Sequence, residues 1–82
     1  MFKAIITVKL RPSILDPEGK AIAHALQSLE FDSISNVRVG KLIELQVAGS
    51  DRATAEAAVD EACRKLLANT VMEDYTFELH EA

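Results

Sequence analysis

The sequence predicts a two-layer α+β domain in the order strand, helix, long bent strand or hairpin, helix, strand, with both helices on one face of the sheet. Three observations predict it. Apolar residues alternate at period two over 2–10, 37–47 and 75–79. Two segments between them carry apolar stripes at helical spacing. No stretch is polar or repetitive enough to read as a linker, so residues 1–82 form a single domain.

Phe2, Ala4, Ile6, Val8 and Leu10 alternate with Lys3, Ile5, Thr7 and Lys9, which gives a first strand with one strongly apolar face. Pro12 ends it, because proline lacks a ladder donor and biases Arg11 toward an extended conformation. Leu15-Asp16-Pro17-Glu18 then reads as a helix start, with Asp16 as N-cap, Pro17 at the first helical position and Glu18 near the positive end of the dipole. Ile22, Ala25, Leu26 and Leu29 form the stripe of this helix, which should stop near Glu30.

The segment from Ile34 to Val47 is the organising one. Val37, Val39, Ile43, Leu45 and Val47 share one parity, interrupted only by Lys41. Fully extended, the fourteen residues would reach about 45 Å, whereas a compact chain of this length has a radius of gyration near ~12 Å. A two-residue turn at Gly40-Lys41 would mix apolar and charged residues on both faces. A three-residue loop, Gly40-Lys41-Leu42, keeps the faces clean, and so does one strand bent at Gly40 whose far half enters a second subunit's sheet. We favour the bent strand, which predicts a sheet extended by dimerisation through Val37, Val39, Gly40, Ile43, Leu45 and Val47.

Ala48-Gly49-Ser50-Asp51 supplies a turn and an N-cap in Ser50 or Asp51 for the second helix, whose stripe is Ala55, Ala58, Val59, Ala62, Leu66 and Leu67. Asp60 with Arg64 and Glu61 with Lys65 mark its solvated side. Asn69-Thr70 closes the helix, and Tyr75, Phe77 and Leu79 form the last strand.

Thirteen acidic residues against nine basic ones give a net charge of -4, with the basic side chains scattered along the chain, a distribution that argues against nucleic acid. No apolar run approaches the ~20 residues of a membrane span, and Met1 opens directly on a strand pattern, so the expected location is the cytoplasm. Cys63, the one cysteine, lies on the apolar side of the second helix and reads as a buried, inert thiol.

Catalysis requires convergent ionisable groups, and the pattern offers none. His24 and His80 have no second ligand at metal spacing, and Val39-Gly40-Lys41 lacks the rest of a phosphate-loop motif. Asp16 to Gly19 is a cap before it is an anion site, because Asp16 already uses the open amides. Arg38 and Lys41 sit on opposite parities of the central segment, and either reach solvent or pair with acids across a subunit contact.

Four landmarks occur in order: Leu-Arg-Pro-Ser-Ile-Leu-Asp-Pro-Glu-Gly at 10 to 19, Val-Arg-Val-Gly-Lys-Leu-Ile-Glu-Leu at 37 to 45, Cys63 followed by Lys65-Leu66-Leu67-Ala68-Asn69, and Glu73-Asp74-Tyr75. Over the whole chain they resemble the PurS family, the small subunit of phosphoribosylformylglycinamidine synthase. Glu30, where the family often has Gly, and Thr70, where it often has Pro, are departures at helix termini.

The resemblance implies a noncatalytic role in purine biosynthesis: a homodimer or dimer of dimers bridging a PurQ-type glutaminase and a PurL-type synthetase. That complex uses ATP and Mg to amidate formylglycinamide ribonucleotide with ammonia from glutamine, and no cofactor is expected on this subunit. Arg11, Asp16, Arg38 and Lys41 are the expected contacts to the larger subunits. Two other classes stand beside this reading. One is a ferredoxin-like dimeric module that binds a small regulatory ligand, and the other is an independent enzyme.

Overall fold

The computed structural model describes residues 1–82. Strand β1 (Phe2–Leu10) is followed by helix α1 (Pro17–Ser28), strand β2 (Gly40–Val47), helix α2 (Arg52–Ala62), a single π-helical turn (Cys63–Leu67) and strand β3 (Glu73–Glu81). The three strands form one sheet in the order β2-β1-β3. The first strand is central because its even positions are the most continuously apolar of the three. Phe2, Ala4, Ile6 and Val8 are all buried.

Both neighbours of β1 run antiparallel to it. Ile6 stands opposite Ile43 of β2 and Phe77 of β3, and Ala4 opposite Leu45 and Leu79. This register collects most of the apolar side chains of the three strands on one face, while Lys3, Lys9, Glu44, Glu78 and His80 fall on the other together with Ile5 and the exposed Leu42. Helix α2 lies on the apolar face, where Ala55, Val59 and Cys63 join Phe2, Ala4, Ile6, Val8 and Leu79 in the core. Asp51 caps it, accepting from the Thr54 amide at 3.3 Å. The Tyr75 hydroxyl donates to Asp60 at 2.6 Å, and Arg52 donates to the Leu79 carbonyl at 2.7 Å, so both ends of α2 are fastened to β3.

Three expectations are corrected. Within this chain the segment 34–47 is not a hairpin, and only Gly40–Val47 of the expected long strand is paired. Residues 34–39 lie outside the sheet, Asn36 takes a left-handed φ of 57°, and the strand starts at Gly40. The break therefore falls at Asn36, a residue type that tolerates this conformation, and Gly40 pairs directly with Lys9. Of the proposed dimer strand, Val37 and Val39 precede β2, while Ile43, Leu45 and Val47 face the core side half-buried. Antiparallel neighbours come from within this chain, so no second copy is needed to complete the ladder of β1.

The second correction concerns α1. It is joined to the sheet at its N-terminal root, where Gly19 is its one buried residue. Its stripe stays open, with Ile22 40% and Leu29 67% exposed. The molecule measures 50 × 27 × 14 Å, with a radius of gyration of 16.3 Å. A nine-residue strand accounts for only about 30 Å of that length, and a twelve-residue helix of about 18 Å accounts for the rest. Within one chain, α2 covers the sheet and α1 projects as an arm.

The third is the phase of α2. The π turn, closed by the Ala68 amide on the Cys63 carbonyl at 2.9 Å, inserts one residue into the helical repeat. Cys63 continues the buried row of Ala55 and Val59, the insertion brings Ala68 rather than Leu67 under the sheet, and Leu66 is turned outward to 82% exposure.

Candidate functional site

The root of α1 is where the sequence's singled-out polar residues converge, at the end of the sheet where β1 stops and β2 and β3 begin. Asp16 supplies the centre. One carboxylate oxygen accepts from the Gly19 amide at 2.9 Å, and the other accepts from the Val39 amide at 2.7 Å. The first bond is an N-cap; the second pins the strand leading into β2 against the start of α1. The Gly19 bond, then the Val39 bond, hold the Asp16 carboxyl below its ordinary value, with a smaller contribution from the Arg38 charge.

Gly19 is required for this approach, since a Cβ there would stand 2.4 Å from the Val37 carbonyl oxygen. Arg38 closes the loop from the other side. Its Nη2 donates to the Arg11 carbonyl at 3.0 Å and to the Ile14 carbonyl at 2.9 Å, satisfying backbone acceptors that no strand or helix reaches. Arg11 forms an ion pair with Asp74 at 3.2 Å and donates to the Thr70 carbonyl, which ties the loop before α1 to the start of β3. Lys41 lies within 3.9 Å of Glu73.

Asp16 is buried and spent on its own chain, whereas Arg11, Arg38 and Lys41 keep much of their surface in solvent. Residue spacing indicated the Asp16 cap. It did not indicate that Asp16 bonds Val39 or that Arg38 serves two carbonyls, because both contacts join segments more than twenty residues apart.

Elsewhere, the chemistry is structural. Burial, and then the Asp60 charge, push the Cys63 thiol above its ordinary value. The hydrogen bond to Asp60 does the same for the Tyr75 phenol. No three His, Cys, Asp or Glu side chains gather as a metal-binding group, and no helix is long and apolar enough to cross a membrane. The remaining unusual feature is exposed apolar surface: Leu15, Leu29 and Phe31 on and around the α1 arm, and Leu66 and Val71 beside the π turn.

Comparison with known proteins places the whole chain. The family model PurS, described as phosphoribosylformylglycinamidine (FGAM) synthase, matches residues 3–81. The phosphoribosylformylglycinamidine synthase subunit PurS of Synechocystis sp. is 53% identical over 74 residues, covering 90% of this chain and 74% of that protein. A solved structure of PurS from Bacillus subtilis superposes with a TM-score of 0.90 at 47% identity, covering 99% of this chain and all of the other. A chain in a structure of PurLQS from Thermotoga maritima superposes with a TM-score of 0.87 at 33% identity, with 95% of each chain covered.

Proposed function

The chain belongs to the PurS family of phosphoribosylformylglycinamidine synthase, and from that membership we propose that it works as the noncatalytic bridging subunit of the complex. In this reading it holds a PurL-type synthetase and a PurQ-type glutaminase together while formylglycinamide ribonucleotide is amidated at the expense of ATP and glutamine. ATP and Mg act on the larger subunits, and this chain contributes shape. Ammonia released into water is diluted and protonated, so two active sites that exchange it work best when held in fixed register with solvent excluded between them.

The observation that carries the proposal is the open architecture. A chain of 82 residues normally closes on itself to bury its apolar residues, yet this one extends to 50 Å and leaves the stripe of α1 in solvent. Such a chain is completed by others. We place a second copy first, covering the stripe of α1 and the half-buried side of β2 at Ile43, Leu45 and Val47, in a homodimer or a dimer of dimers. The edge of β2 away from β1 offers further pairing. Arg11, Arg38 and Lys41 remain available to the larger subunits.

Co-purification tests the reading. The tagged chain is expected to retain both the synthetase and the glutaminase encoded by the same organism. Recovery of the chain alone, with both larger subunits present and folded, overturns it.

A further inference from the structure

The basic side chains of this acidic protein are not distributed evenly with respect to their partners. Of nine Lys and Arg residues, Lys3, Arg11, Lys41, Arg52, Arg64 and Lys65 each lie within 4.0 Å of a carboxylate. The three left without an ion pair are Lys9, Lys20 and Arg38. All three line the same groove, a cleft of about 580 Å³ between α1 and the end of the sheet. They arrive there from three separate elements: β1, α1 and the segment before β2.

The lining between them includes apolar side chains, the half-buried Leu10 and Val37 and the exposed Leu15. Asp16 also borders the groove, but its carboxylate is buried and occupied by the Gly19 and Val39 amides. Arg38 uses Nη2 on two carbonyls and has no carboxylate within ion-pair reach. The groove therefore carries a net positive charge in a chain whose total is -4.

We propose that this groove docks an acidic peptide segment with apolar side chains, supplied by one of the larger subunits of the complex. The inference rests on the subunit reading above. The chemistry selects the occupant: apolar side chains would seat against Leu10, Leu15 and Val37, while carboxylates would meet Lys9, Lys20 and the free edge of the Arg38 guanidinium. A second copy is expected elsewhere, on the α1 stripe.

The test uses the full-length chain with the purified synthetase and glutaminase from the same organism, each titrated in turn. Lys9→Glu/Lys20→Glu reverses two cations that make no hydrogen bonds of their own, and should weaken binding of one larger subunit by about tenfold or more. Wild-type binding to that subunit should also fall steeply as ionic strength rises, a readout independent of any variant. Arg64→Glu/Lys65→Glu, on the outer face of α2, should bind as wild type does. Three results overturn the proposal: unchanged binding of the Lys9/Lys20 variant, salt-insensitive wild-type binding, or loss of self-association by that variant in sedimentation, which would assign the groove to a second copy. Failure of the wild-type chain to bind either subunit overturns the underlying subunit reading instead.

Discussion

Glu30 ends α1 in a left-handed conformation, with φ of 69°. Its amide donates to the Gln27 carbonyl and the Phe31 amide to the Leu26 carbonyl, the paired bonds of a Schellman ending. Glycine fits that position without strain, and a Cβ there costs about 1 kcal/mol. Glu30→Gly should therefore stabilise the protein by about 0.5–1 kcal/mol in urea unfolding at fixed protein concentration; a loss of stability would contradict the assignment of this cap. Asp16 makes a prediction in pH. Its folded-state value is depressed, so its stabilisation is complete above the ordinary carboxylate range and is lost as pH falls through the lowered value. Protection of the Val39 amide from hydrogen exchange should fall below about pH 4, and Asp16→Asn should flatten that dependence. Asp51, lowered by its bonds to Thr54, titrates in the same direction at α2 and should leave Val39 unaffected.

Among the elements, β1 was the most legible in sequence and is the most buried in the structure, because period-two alternation survives any choice of partner strand. Both helix starts were legible because they cap through local bonds, Asp16 outright and the second as a choice between Ser50 and Asp51 that the structure resolves as Asp51. The path of 34–39 was not legible. Its alternation matches a strand, but whether it pairs depends on neighbours distant in sequence, and Asn36 breaks it. The π turn was hidden for a related reason: Leu66 and Leu67 fit an α-helical stripe equally well until one residue is inserted. Two predictions follow from the observed packing. Ile6 is fully buried between β2 and β3, so Ile6→Ala should cost about 3 kcal/mol in denaturant unfolding. Cys63 is fully buried with its thiol value raised, and should resist thiol reagents in the native protein while reacting at once in denaturant. Rapid native labelling would contradict the burial of Cys63 between α2 and the sheet.

The whole molecule is a small sheet with an arm. The sheet, α2 and their shared core form within one chain, with Ile43, Leu45 and Val47 of β2 left half-buried, and the arm is fixed at its root by Asp16, Gly19 and Arg38 but bare along its apolar side. A protein of this form is suited to joining larger ones, and its ionisable groups serve caps, ties and a basic groove. The division between core and arm predicts that Leu29→Asp, at an exposed position of the arm's stripe, lowers self-association in sedimentation while leaving the circular dichroism of the core intact. The central claim, a bridging and noncatalytic role, is tested most directly by reconstituting the synthase from its larger subunits with and without this chain. Amidation should then be measured with glutamine and, separately, with saturating ammonium. The account predicts that omitting the chain abolishes most of the glutamine-dependent rate and spares the ammonium-dependent rate. Full glutamine-dependent activity without it would contradict the account.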